Sequence, residues 1–275
     1  MLDQIAVQAQ FCRVAKSYDA SSVLQRHIAE ELIDRLDFFG PVEDTLLDLG
    51  SATGYLGRCA RRKFPRVSVV EVDMITAMAI ESSKANPLVK AVISLPEKLA
   101  LADESMPLVL SNLLLHWCDV GSVFSEVARV LQIGGSFFFS TLGPDTLLEL
   151  RSAWDQVDSF PHVHDFVDMH DLGDALVMAG LSEPVLDIDR LHVTYQNVSN
   201  VIDELRSIGA TNVRRDRRRT WTGKNRYIRF LSACEAFFDQ GGRLPTTWEV
   251  IYGVATKDRA ALGSTIPVVT GSERA

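Results

Sequence analysis

The chain reads as an α/β protein built on a doubly wound, mostly parallel sheet of seven strands, with a helical insertion before the last strand. Three observations carry that expectation. First, Thr45-Leu-Leu-Asp48 is a short apolar run that Gly50 and Gly54 break before a helix from Tyr55 to Arg62. Second, from there to Thr141 short apolar runs alternate with helical stretches, the rhythm of parallel strands joined by crossover helices. Third, residues 196–244 separate the last two strand candidates and are too long for a simple crossover, so they read as an inserted helical lid or substrate segment.

In chain order, residues 8–36 are expected to be helical. Phe11, Val14, Ala15 and Tyr18 fall at helical spacing, and Ser21 or Ser22 can cap a second helix through Leu36, closed by Gly40-Pro41. Val67 to Val72 is the second strand, ending at Asp73, with a helix from Ile75 to Lys84 behind it. Lys90 to Leu95 is the third strand. Leu108 to Ser111 is the fourth, expected to start after Pro107 because proline has no backbone donor. Asp119 or Ser122 starts a helix that runs to about Leu131, with Gly134-Gly135 as its stop, and Ser136 to Thr141 is the fifth strand. Gly143-Pro144-Asp145 opens a helix through Trp154, and Asp168 to Gly180 forms another. Leu186 to Tyr195 alternates as a sixth strand. Helices follow at Ser199–Ser207 and Lys224–Phe238, then a final strand at Trp248–Thr256. One domain is expected over residues 1–258, with 259–275, rich in Gly, Ser, Thr and Pro, as a flexible tail.

Composition narrows the class. With 275 residues, 47% apolar and 23% charged, the chain suits one large soluble domain. It has no apolar run of about 18 residues, so no membrane-spanning helix is expected. No secretory signal is visible at Met1-Leu-Asp-Gln-Ile. Cys12, Cys59, Cys118 and Cys234 are far apart and form no C-x-x-C pair, which suggests reduced thiols in the cytoplasm. His162 and His164 lack further ligands at metal-binding spacing, so no metal is expected.

The net charge of −8 argues against general nucleic-acid binding, yet the charge is uneven. Arg214, Arg215, Arg217, Arg218, Arg219, Lys224, Arg226 and Arg229 face only Asp216, a local +7 that leaves −15 for the rest of the chain. Such a run is either a solvated face or a docking patch for an acidic partner. RNA is the weaker reading, because only Trp221 and Tyr227 interleave as aromatics.

The glycine turn carries the chemistry. A strand ending near a carboxylate (Asp48) and turning through Gly50 and Gly54 lets a ligand approach bare backbone and the free N–H groups of a helix start. In open α/β sheets ligands bind at that edge. No Gly-Lys-Ser/Thr follows, so the turn is not a P-loop, nor does it fit G-x-G-x-x-G. Asp73 lies about 20 residues further on at a strand end, where it could accept hydrogen bonds from ribose hydroxyls or simply cap the next helix.

The turn resembles the D-x-G-x-G-x-G motif of class I S-adenosylmethionine (SAM) methyltransferases, with Ala52 in place of the middle glycine. Longer stretches resemble the malonyl-acyl-carrier-protein O-methyltransferases of biotin synthesis. These are Phe11 to Asp19, Leu110-Ser-Asn112, Leu115-His116-Trp117, Gly143 to Arg151, Asp171-Leu-Gly173, Ile208 to Thr211 and Leu244 to Gly253, so the likeness spans residues 11–257. The Asp145 to Arg151 stretch also resembles a mitochondrial complex I assembly factor with arginine hydroxylase chemistry. It keeps a second reading open, and a non-catalytic binding module is a third.

The methyltransferase resemblance implies a methyl transfer from SAM to the free carboxylate of malonyl held by acyl carrier protein or coenzyme A. That carboxylate is ionised at pH 7, so positioning matters more than a base. Carried over residue by residue, Asp48, Gly50, Ala52, Gly54, Asp73, Met74, Asn112 and Trp117 would hold SAM. Leu95 and Pro96 stand at the adenine position, where the family has an acidic residue and only Glu97 matches. Tyr18 and His116 are the catalytic candidates: Tyr18 to orient the carboxylate or shield the sulfonium, His116 as a donor to the carboxylate. Arg151 and Arg206 are possible counter-ions, and Arg214, Arg215, Arg217, Arg218 and Arg219 would dock the acidic carrier.

Overall fold

The computed structural model describes residues 2–39 and 44–258. Seven strands form one sheet: β1 (Thr45–Leu49), β2 (Ser68–Asp73), β3 (Lys90–Ile93), β4 (Met106–Asn112), β5 (Leu131–Leu142), β6 (Ser182–Tyr195) and β7 (Leu244–Thr256). Their order is β3-β2-β1-β4-β5-β7-β6. The first five run parallel, and β7 is antiparallel to both β5 and β6.

Side-chain alternation along the central strands builds the two halves of the core. Leu46, Leu110 and Phe138 point to one face, where helix α3 (Val23–Arg35) brings Ile28 and Leu32, and helix α4 (Tyr55–Lys63) brings Leu56 and Ala60. Leu47, Val109, Phe137 and Phe139 point to the other, covered by Phe124 and Val127 of α6 (Val120–Val130) and Leu172 and Leu176 of α8 (Met169–Met178). A fifth helix, α5 (Thr76–Ala85), crosses from β2 to β3. The chain winds outward from β1 through β2 to β3, then restarts on the other side of β1 with β4. That reversal opens a crevice at the carboxyl ends of β1, β2 and β4.

Several boundaries differ from the expected ones. β4 begins at Met106, ahead of Pro107. The pairing with β5 shifts register between Met106 and Leu108, so the proline occupies an irregularity where its missing N–H costs no ladder bond. Gly134-Gly135 does not stop the helix; α6 ends at Val130 and β5 starts at Leu131. The glycines lie within β5 at the same irregularity, where a side-chain carbon on Gly135 would come within 2.9 Å of the Gln132 and Pro107 carbonyls. β7 starts at Leu244, with Pro245 opposite Thr194 on β6. The Gly143-Pro144-Asp145 turn is held by Glu249, whose carboxylate accepts from the Asp145 N–H at 2.8 Å, and α7 (Leu148–Asp155) starts only after Leu147.

Ahead of α3 come α1 (Gln4–Val14) and the short α2 (Tyr18–Ser21). Residues 196–244 hold α9 (Val198–Ser207), α10 (Lys224–Cys234) and a 3-10 turn, Glu235–Phe237. This segment shares the core beneath it. Val201 and Phe230 are buried with Leu150 and Trp248, and Phe230 stacks on Trp154 of α7 at 4.1 Å. Gly40-Pro41 and the tail 259–275 lie outside the described residues. Among the described residues no helix is long and apolar enough to cross a membrane.

Candidate active site

Past β1 the chain turns through three residues in the left-handed region, Gly50 (φ 75), Ala52 (φ 46) and Gly54 (φ 76). The N–H groups of Gly50 and Ser51 both reach the Val72 carbonyl, which stitches the turn to β2. A side chain at Gly50 would meet Leu114 within 2.8 Å, and one at Gly54 would run into Ser82 and Glu71. Asp48 is buried beneath the turn and accepts the Gly57 N–H at 3.0 Å, fixing the first turn of α4. Burial and the neighbouring Glu71 push its carboxyl pKa up.

At the tip of β2, Asp73 makes two backbone contacts, one just ahead of α5 and one to the glycine turn. Its Oδ1 accepts the Ile75 N–H at 2.7 Å, and its Oδ2 accepts the Ala52 N–H at 2.8 Å. Each oxygen keeps a second lone pair, and the carboxylate lines the crevice. Burial pushes its pKa up to about 6, against the opposing pull of the two N–H groups.

Met74, Pro96, Asn112 and Trp117 also line the crevice. Leu95 does not. Its neighbours Ser94 and Pro96 take that wall, and Leu95, past the end of β3 in a turn bridged to Lys98, has 49% of its surface exposed. Both ends of the Asn112 amide are engaged: it donates to the Gln25 carbonyl at 3.0 Å and accepts from the Ser140 hydroxyl at 2.7 Å. Asn112 therefore ties α3 to the sheet at the crevice wall.

The crevice is roofed from the N-terminus by Val7, Phe11, Tyr18, Ser22 and Gln25. Asp19 latches this roof to the turn below, accepting from the Thr53 hydroxyl and from the Arg58 guanidinium at 2.7 Å. Arg58 also donates to the Thr53 carbonyl at 2.5 Å. Tyr18 faces the crevice. Burial, then the charges of Asp73 and Asp19, raise its pKa, so the phenol keeps its proton.

Behind Trp117 lies a second, apolar cavity of about 320 Å³, walled by Leu147, Leu150, Trp154, Phe166, Tyr227 and Phe230. Trp117 belongs to both spaces. Its ring is held edge-on by Phe11 at 5.3 Å and by His164 at 5.1 Å. His116 lines the cavity from the same 3-10 turn, Leu115–Trp117. Its Nδ1 is buried without a hydrogen-bond partner among the described residues. Burial, then the adjacent His164, hold the His116 pKa down to about 3, so the ring is neutral.

Arg206 lines the cavity and pairs with Asp203 at 3.3 Å. Arg151 instead clamps the loop above, donating to the carbonyls of Pro144 and His164. His162 stacks on Trp154 at 3.7 Å and bonds Asp158 at 2.9 Å, which makes it a wall residue. Among the described residues no three His, Cys, Asp or Glu side chains group as metal ligands.

The arginine run divides in two. Arg214 pairs with Asp165 and Asp216, Arg217 reaches Asp3 at 3.4 Å, and Arg218 approaches Asp158 at 3.9 Å. With Leu2 bridged to Arg214, and Arg215 donating to the Leu2 carbonyl, this part is a seam between the N-terminus and the insertion. Arg215 and Arg219 remain exposed. Sequence reading missed the Asp19–Thr53–Arg58 latch. Asp19 and Arg58 stand 39 residues apart and no spacing signals that they meet. The aromatic wall from Trp154, Phe166 and Tyr227 was equally hidden, because it draws on three separate elements.

Comparison with known proteins agrees with this geometry. The family described as a methyltransferase domain matches residues 47–139, the stretch from β1 into β5. The malonyl-[acyl-carrier protein] O-methyltransferase of Gallionella capsiferriformans (strain ES-2) is 41% identical over 268 residues, 94% of this chain and 92% of its own. The protein of that name from Laribacter hongkongensis (strain HLHK9) is 39% identical over 273 residues, covering 94% and 91%. Among solved structures, the YcgJ protein of Bacillus subtilis superposes with a TM-score of 0.60 at 17% identity, covering 84% of this chain and 98% of that one. Haemonchus contortus phosphoethanolamine N-methyltransferase 2, in complex with S-adenosyl-L-methionine, gives 0.51 at 16% identity, covering 83% and 52%. These two likenesses establish the class I methyltransferase fold. Identity of this order across nearly the whole length of the curated relatives establishes more: the chain is a methyltransferase and belongs to the malonyl-[acyl-carrier protein] O-methyltransferase family.

Proposed function

We propose that this chain transfers a methyl group from SAM to the free carboxylate of a malonyl thioester on acyl carrier protein, or on coenzyme A, as a step of biotin synthesis. The observation that carries the reading is that the crevice at the sheet edge, which holds the Asp73 carboxylate, and an apolar cavity share one wall, Trp117. A donor and an acceptor held on either side of it would be within reach of one another.

The crevice residues fit SAM. Gly50 and Gly54 leave no room for side chains where the backbone must be approached, and Asp73 presents spare lone pairs beside Met74 and Pro96. When bound, SAM supplies a methyl group made electrophilic by its sulfonium. Asp73 would accept from the ribose hydroxyls, while Asp48, Gly50, Ala52 and Gly54 shape the turn around the remainder. Tyr18 and Phe11 close the roof and exclude water; the face of a tyrosine ring suits a neighbouring cation.

On the other side the chain needs to hold a carboxylate without dulling it. A guanidinium pressed against the nucleophile would stabilise its charge and slow its attack. His116 lines the cavity and is neutral, its Nδ1 is buried and unpartnered among the described residues, and the tautomer protonated there has one uncharged hydrogen bond to give. Arg206, at the same cavity, is suited to drawing the anion in. The enzyme's contribution is then alignment and dryness, effects worth up to about 7–11 kcal/mol in favourable intramolecular cases. The four free cysteines suit a cytoplasmic setting.

Release of S-adenosylhomocysteine on adding malonyl-carrier, but not a carrier loaded with acetyl, tests the reading. Equal release from both would show that the free carboxylate is not the acceptor.

A further inference from the structure

The exposed surface beside the cavity has an apolar centre as well as charge. Trp221 is 96% exposed, the most exposed large apolar side chain among the described residues. It stands three residues before α10, and its neighbour Thr222 lines the cavity together with Tyr227 of that helix. The outward face of α10 carries Lys224, Asn225, Ile228 and Arg229, with Ile228 half exposed. An indole and an isoleucine are thus left in water at the rim of the proposed acceptor site, among cations.

Those cations differ from the inward arginines. Arg215, Arg219, Lys224 and Arg229 have no carboxylate within ion-pair distance among the described residues, whereas Arg218 and Arg226 lean on Asp158. On a chain of net −8 this corner is the positive pole.

We propose that Trp221 and Ile228, ringed by Arg219, Lys224 and Arg229, form the docking surface for an acidic acyl carrier protein, and that Trp221 is its apolar anchor. This deepens the proposed function and rests on its choice of a carrier-bound substrate. Charge complementarity selects the occupant: acyl carrier proteins are acidic, and the cations would steer one to the rim through which its thioester must enter. Steering alone gives speed more than affinity. Interfaces draw most of their affinity from a few buried anchors, of which tryptophan and arginine are the commonest.

Calorimetric titration with malonyl-loaded acyl carrier protein tests the assignment on the wild type, Trp221→Ala, Trp221→Phe and Arg219→Glu. Trp221→Ala is expected to weaken carrier binding about ten-fold or more. Trp221→Phe should recover part of that loss, and Arg219→Glu should weaken binding most at low salt. SAM affinity and methylation of malonyl-coenzyme A, which has no carrier domain, should stay at wild-type levels. Carrier affinity that ignores Trp221 overturns the docking surface, even if methyl transfer proceeds. Equal loss on carrier and coenzyme A substrates overturns it too, by making Trp221 part of the cavity. Binding that depends on Trp221 without methyl transfer would leave the surface standing and remove the proposed reaction instead.

Discussion

Ala52 occupies a backbone conformation that glycine adopts freely and alanine does not, at φ 46. A left-handed residue with a Cβ costs roughly 1–2 kcal/mol, partly offset by the smaller entropy that alanine loses on folding. Ala52→Gly is therefore expected to stabilise the protein by roughly 0.5–1 kcal/mol in denaturant titrations. SAM affinity in that variant should be unchanged or tighter, since no side chain is added. Asp73 makes a sharper prediction. Its carboxylate must accept two backbone N–H bonds and still serve a ligand, and burial raises its pKa to about 6. Protonation removes acceptor capacity, so SAM affinity should be full above pH 7 and decline as pH falls through about 6. Asp73→Asn should weaken SAM at every pH and abolish that dependence, as followed by calorimetry. A wild-type affinity flat from pH 8 to 5 would show that the carboxylate is not a ligand group. Asp48, Gly50, Gly54 and Asp73 were legible in the sequence because glycine spacing and strand-end carboxylates follow from backbone geometry. Leu95 was placed in a strand that ends at Ile93, and the turn beyond it, closed by the Leu95–Lys98 bridge, leaves its side chain exposed.

At the scale of elements, the N-terminal helices behave as a roof held by a small latch. Asp19 on α2 joins Thr53 and Arg58 on either side of the α4 start, so the roof and the glycine turn move as one piece when the latch is made. Asp19→Ala should raise the KM for SAM several-fold, with a smaller effect on kcat, because the roof would spend less time closed over the crevice. A fall in kcat with KM unchanged would assign Asp19 to the chemistry instead. The strands of the parallel half were readable as short apolar runs between turns, since both their faces are covered. The irregularity pairing Pro107 with Gly134-Gly135 was not, because it depends on how β4 and β5 meet rather than on either segment alone. The arginine run was visible as charge, but its division into an inward seam and an outward face depends on Asp3, Asp158 and Asp165, all distant in sequence.

The whole molecule places a doubly wound sheet between two helical layers and uses what lies outside that sandwich for recognition. The N-terminal helices cover one side of the Trp117 wall, and the insertion between β6 and β7 builds the other. Composition could bound the size and class of this molecule, but the juxtaposition of crevice and cavity emerges only once Asp19 joins Arg58 and Trp117 meets His164. Methyl transfer from one space to the other is the central claim. Intact-mass spectrometry of malonyl-loaded acyl carrier protein after incubation with SAM and the enzyme tests it most directly. The predicted result is a mass gain of one CH₂ on the malonyl group. A carrier that keeps its original mass, while SAM is bound at the crevice, would contradict the account.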